Sequence, residues 1–158
     1  MARNIIDLPT LGDDGRLYRD TALDLVESLI PNPWESCHAP DLLELENGDL
    51  LCCWFAGSSE GNADISIAVA RLPAGASQWE QPVIVSDDPT RSEQNPSLFQ
   101  NPNGDIWLMY TAQAAKKPDE NNPDSMQGTA EIRRKISRDG GRTWAVSYTH
   151  LRAHETRE

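Results

Sequence analysis

Apolar residues in this chain come in short bursts rather than in helical stripes. The longest burst, Leu50 to Ala56, is seven residues. It fits one buried strand and falls well short of the ~18 residues of a membrane span. Elsewhere, short stretches alternate or are rich in strand formers: Asp41–Leu45, Asp64–Arg71, Ser97–Gln100, Ile106–Thr111 and Thr129–Ile136. Gly, Pro, Asn and Asp punctuate them, as expected of strands separated by turns. A further strand is predicted over Ala22–Ile30, with a short helix as the alternative.

One pattern occurs twice. Pro40-Asp-Leu-Leu-Glu-Leu-Glu-Asn-Gly-Asp-Leu-Leu51 aligns with Pro96-Ser-Leu-Phe-Gln-Asn-Pro-Asn-Gly-Asp-Ile-Trp107 at a constant offset of 56. Pro, Leu, Asn, Gly and Asp recur in place. Asn47-Gly48 and Asn103-Gly104 predict hairpin turns of type I′, with positive φ at both central residues. Copy one runs on through Asp64–Arg71 to Trp79-Glu-Gln-Pro82, and copy two through Thr129–Ile136 to Trp144. Each copy thus offers about four strands, the size of one propeller blade.

Charge narrows the function classes. The chain holds 14 Lys+Arg against 25 Asp+Glu, a net charge of −11. Residues 1–130 carry 7 of the basic and 21 of the acidic groups, with no basic patch of the kind a nucleic-acid binder needs. No membrane span and no apolar leader segment is visible, so the expected location is the cytoplasm. Cys37, Cys52 and Cys53 are odd in number, and two are vicinal in an apolar run. They are expected to be reduced core residues, neither a disulfide framework nor a metal site. No zinc spacing, phosphate loop, dinucleotide fingerprint or nucleophile elbow occurs, so no metal and no cofactor is expected.

The C-terminal segment differs in character. Residues 131–158 reverse the balance, with 7 basic against 4 acidic groups. Ser147–Glu158 resembles translated adapter read-through, which places the expected end of native sequence near Ala145 or Val146. His150 and His154 are given no role on that reading.

The sharpest motif is Ser137-Arg-Asp-Gly-Gly-Arg-Thr-Trp144. Ser137 and Asp139 can accept backbone N–H bonds within a turn, Gly140 and Gly141 supply unusual backbone angles, and Thr143 precedes the large apolar Trp144. Its expected role is structural. The motif matches the Asp-box, and together with Cys37–Leu51, Trp54–Gly61 and Asn95–Phe99 it makes the chain resemble the BNR-repeat, sialidase-like (neuraminidase-like) family. The resemblance covers residues 22–145 and implies an all-β fold, a six-bladed β-propeller of which about two blades are present. It implies a closure strand at 22–30, blade 1 at about 36–85 and blade 2 at about 93–146, after an extension at 1–21. The remaining blades of a parent chain would be needed, because two blades alone leave open sheet edges.

The resemblance also implies where chemistry sits: at the mouth of the propeller axis, where the first strand of each blade begins. His38-Ala39-Pro40 stands where sialidases carry Arg-Ile-Pro. An imidazole cannot offer the bidentate fork that an Arg gives a carboxylate. The expected substrate is therefore a terminal sugar other than sialic acid, or a glycan containing a uronic acid, with His38 bonding a sugar hydroxyl or moving a proton. The family's acid is a carboxyl in the loop after the second strand. Asp64 fits best, flanked by Ala63 and Ile65 in a setting that could raise its pKa, and Glu60 is the alternative. Gln94 and Asn95 are candidate sugar ligands. Arg133-Arg134-Lys135 is expected to be a solvated strand face, with Arg134 the candidate to meet a substrate anion. The loop 116–124 is expected to be solvated. None of Tyr18, Tyr110 or Tyr148 fits the nucleophile, and Tyr110 is expected in the core. The function implied is an exo-acting glycoside hydrolase acting on carbohydrate by acid/base catalysis; the alternative is a propeller that binds glycans or proteins without cleaving them.

Overall fold

The two repeats fold as two four-stranded antiparallel sheets. The computed structural model describes residues 12–116 and 123–151. The strands are β1 (Tyr18–Asp20), β2 (Leu25–Glu27), β3 (Ser36–Glu44), β4 (Leu50–Gly57), β5 (Ser66–Leu72), β6 (Val83–Ile84), β7 (Arg91–Gln100), β8 (Ile106–Ala114), β9 (Glu131–Ser137) and β10 (Ala145–Leu151). A 3-10 helix spans Pro123–Thr129. Blade 1 has the order β3-β4-β5-β6 and blade 2 the order β7-β8-β9-β10. Among the described residues no helix is long and apolar enough to cross a membrane. The boundary expected near residue 146 falls inside β10, and residues 152–158 lie outside the described residues.

The offset of 56 survives in the register. Leu42 faces Cys52 in blade 1, and Leu98 faces Leu108 in blade 2. Each first strand slips by one residue at the same place, between His38 and Asp41 and between Gln94 and Ser97. At each slip a non-glycine residue has positive φ: Ala39 at 52° and Asn95 at 51°. These are β-bulges, in which the strand bends and re-aims its side chains.

The turns differ from expectation. Gly48 N–H donates to Leu45 O, Leu45 N–H donates to Asp49 O, and Gly48 alone takes positive φ, 83°. This is a three-residue loop closed by a left-handed glycine, not a type I′ turn. Asn47 turns its side chain to accept the Asp49 N–H at 3.1 Å, and its backbone stays on the negative-φ side.

The core lies between the blades. Leu51, Cys53, Phe55, Ile67 and Val69 of blade 1 meet Leu98, Ile106, Leu108 and Tyr110 of blade 2, with Trp144 packed alongside. The opposite face of blade 1 carries Cys52, Trp54, Ala56, Ala68 and Trp79, covered by Leu17, Ile30 and Trp34. Strand β4 is thus buried on both faces, which explains its unbroken apolar run. The strand expected at 22–30 is present only as Leu25–Glu27, and its partner is β1, not a blade. Asp20 accepts the N–H groups of Ala22 and Leu23, a side-chain turn that folds the segment back on itself.

Candidate functional site

One end of both blades gathers the beginnings of β3 and β7, the ends of β4 and β8, and the loop at 57–64. The blades are stitched there by main chain. Glu93 N–H donates to Ile65 O at 2.9 Å, and Lys116 N–H donates to Gly61 O at 2.8 Å. Further along the same strands, Asp41 Oδ2 accepts Leu98 N–H at 2.7 Å and the Ser97 hydroxyl at 3.1 Å.

His38 is exposed at the start of β3, its ring stacked on Phe55 with centroids 5.5 Å apart. It lines a cavity of about 260 Å³ with Ile30, Asn32, Cys37, Pro40 and Trp54. Asn32 ties this wall together, accepting from Trp54 Nε1 at 3.3 Å and approaching Cys37 Sγ at 3.2 Å. Cys37 is exposed, unlike the core residue expected, because it lies on the edge strand β3. Cys52 and Cys53 are buried and free, and burial pushes the Cys52 thiol up to about 11 and Cys53 higher still.

Asp64 is exposed, and Ile65 beside it is fully buried. The alternation of the incoming strand turns Ile65 into the core and Asp64 out, so the apolar setting expected for this carboxyl is absent. Both its oxygens accept from Ser58, from the N–H at 3.1 Å and the hydroxyl at 3.0 Å. Asn62 Nδ2 donates to Ser58 Oγ at 2.9 Å. Asp64 therefore closes the loop on itself. Glu60 is exposed at the loop tip and makes no ion pair among the described residues.

Gln94 occupies in blade 2 the position of His38 in blade 1. It is buried and bonds Ser92 Oγ at 2.9 Å, and Asn95 after it is exposed. Arg134 lies elsewhere. Its guanidinium sits 4.2 Å over the Trp107 ring, near the 101–105 turn at the opposite end of β8. The structure does not bring it to His38 or to the 57–64 loop.

Arg133 is not on a solvated face. It pairs with Tyr110 across the sheet and points to the blade junction, 12% exposed. Its guanidinium meets Asp88 at 2.7 Å, Glu93 at 3.5 Å and Glu131 at 3.6 Å. Glu93 is 1% exposed, and its burial raises its pKa. The Thr90 hydroxyl bound to Asp88 is the main cause that holds Asp88 at about 2. This ionic cluster escaped the sequence reading, because Glu93 aligns with Cys37 and the repeat gave it no special mark. Among the described residues no group of three or more His, Cys, Asp or Glu could hold a metal ion.

At the far end, Ser137–Trp144 forms the tight turn expected. Asp139 Oδ1 accepts the N–H groups of Arg142 and Thr143 at 3.0 and 2.9 Å and the Ser137 hydroxyl at 2.7 Å. The Thr143 hydroxyl donates to Oδ2, and these bonds hold the carboxyl well below its ordinary range. Gly141 has φ of 85°, and a Cβ there would lie 2.8 Å from Leu51 Cδ1. Gly140 O accepts from Arg71, whose guanidinium also pairs with the buried Asp49. The turn therefore docks blade 2 onto blade 1, far from the candidate site.

A protein of unknown function from Dyadobacter fermentans DSM 18053 is similar in fold, at 20% identity and a TM-score of 0.57 over 85% of this chain. The chain spans 38% of that protein's length. A thermostable family-43 glycoside hydrolase aligns at 20% identity and TM-score 0.47, over 77% of this chain and 38% of its own. Trypanosoma rangeli sialidase, in complex with sialic acid, aligns at 12% identity and TM-score 0.47, over 88% and 23%. No curated protein matches the sequence. The BNR repeat-like domain family matches residues 48–156, and with its two stacked four-stranded meanders the chain belongs to that family.

Proposed function

We propose that this chain supplies two blades of a propeller glycoside hydrolase that removes a terminal sugar from a glycan. The observation that carries the reading is the paired bulge. His38-Ala39-Pro40 and Gln94-Asn95-Pro96 kink equivalent strands at one end of the blades, beside a loop bearing an exposed carboxyl. Bulges of this kind re-aim side chains beside active sites. His38 presents its ring edge for hydrogen bonds to sugar hydroxyls, and Asn95 offers amide donors. Glu60 is the carboxyl better placed to reach a substrate. Asp64 is engaged through both oxygens, whereas Glu60 reaches solvent from the loop tip. In the reaction Glu60 gives its proton to the glycosidic oxygen as the bond to the anomeric carbon breaks, and water completes the hydrolysis. The nucleophile or base belongs to further blades of a longer protein.

The test is a panel of 4-methylumbelliferyl glycosides and uronides, sialoside included, given to the longer protein. Hydrolysis of a neutral or uronic sugar, with a loss of kcat of about 100-fold or more in Glu60→Gln, is expected from the usual worth of a general acid. Binding of glycans without turnover would replace the hydrolase with a binding module.

A further inference from the structure

The loop that carries Glu60 and Asp64 belongs to blade 1, yet part of its support comes from blade 2. Within the loop, Asp64 closes on Ser58, Asn62 N–H donates to Ser59 O at 3.0 Å, and Ile65 N–H donates to Asn62 O at 3.2 Å. These bonds fix a turn but do not fix where it sits. Lys116, two residues beyond β8, does that in three ways. Its N–H donates to Gly61 O at 2.8 Å, and its Nζ donates to Ser59 Oγ at 3.2 Å. Its aliphatic stem lies against Gly61, so close that a Cβ on Gly61 would stand 3.3 Å from Lys116 Cδ. Gly61 is buried beneath it with φ of 86°. The two residues flanking Glu60 in sequence are thus the two that Lys116 holds.

We infer that Lys116 is a positioning residue: it clamps the 57–64 loop from the neighbouring blade and sets the place of the Glu60 carboxyl. The inference rests on the proposed hydrolase for its catalytic consequence and on the structure alone for the clamp. A side chain that acts only by placing an acid changes the transition state more than substrate binding, so its loss lowers kcat more than it raises KM.

The test uses Lys116→Met, which keeps the stem and removes Nζ, Ser59→Ala, which removes its acceptor, the double variant, and Lys116→Arg. Amide hydrogen exchange reads the clamp directly. Each single variant should speed exchange at Ser58 and Asn62 about five- to tenfold, the double variant no further, with the distant Gly104 amide unchanged and Lys116→Arg close to wild type. On the 4-methylumbelliferyl panel, Lys116→Met should lower kcat about tenfold with KM within about twofold. Unchanged exchange overturns the inference, as do additive effects in the double variant or a loosened loop with unchanged kcat. If the wild-type protein cleaves no member of the panel, the hydrolase reading fails, and the exchange result alone upholds or overturns the clamp.

Discussion

Replacing Arg71 with Ala should unseat the two blades from each other. Arg71 is 6% exposed, pairs with Asp49 at 9%, and donates to Gly140 O of the turn at the far end. Two unit charges at ~4 Å attract by about 4 kcal/mol at an effective dielectric constant near 20. Asp49 keeps the Ala74 N–H at 2.8 Å after the change, which offsets part of the loss. Gly140 O loses a charged donor as well, worth about 1.5–3 kcal/mol. A net loss of about 3 kcal/mol is expected, in line with breaking one side of a buried pair. With a urea slope of about 2 kcal/mol/M, the unfolding midpoint falls by about 1.5 M. The pH dependence gives a second check. The Ala74 N–H is the first cause lowering the Asp49 pKa, with Arg71 adding to it. Stability held by a lowered carboxyl is fully present above its ordinary value of 3.8 and lost as pH falls below it. The gap between wild type and Arg71→Ala should therefore narrow below about pH 4. A midpoint shift under about 0.5 M at unchanged slope would refute the reasoning.

Two smaller predictions follow from backbone and burial. Ala39→Gly should raise the melting temperature, because relief of about 1–2 kcal/mol of left-handed strain exceeds the ~0.4–1 kcal/mol of added chain entropy in the unfolded state; a lowered melting temperature would contradict this. Iodoacetamide under native conditions should label Cys37 alone, with Cys52 and Cys53 reacting only after denaturant, as read by peptide mass; early labelling of Cys53 would overturn the burial argument.

The parts legible from sequence were those encoded locally. The Ser137–Trp144 turn closes through residues within four positions of Asp139. The two hairpins were visible because Asn-Gly interrupts alternating strands, although the turn type depended on which residue took positive φ, and in each only the glycine, Gly48 or Gly104, did. The bulges at Ala39 and Asn95 left a trace in the repeated Pro40 and Pro96, but not one that alternation can read. Partners distant in sequence were illegible. Arg71 reaches Gly140 across 69 positions, and Lys116 reaches Ser59 across 57. Arg133 was misread because alternation shows which residues share a face but not that its face meets Asp88 and Glu93 of the blade junction. Asp64 kept its place in the loop but lost its apolar setting, since a strand start turns adjacent residues to opposite sides.

The N-terminal segment that covers Leu72, Trp79 and Trp54 bears on self-association. A blade has two unlike faces, and stacking joins the face bearing Leu51 and Phe55 of one blade to the face bearing Leu98 and Leu108 of the next. That is a heterologous contact, which between separate molecules grows open-ended fibres rather than closed pairs. Blade 2 still shows the donor face, with Phe99 53% exposed and Trp107 beside it. The matching acceptor face on blade 1 is occupied by Leu17, Ile30 and Trp34. The segment thus takes on blade 1 the place that blade 1 itself takes on blade 2, so that a strand pair and a few side chains stand in for a whole neighbouring sheet.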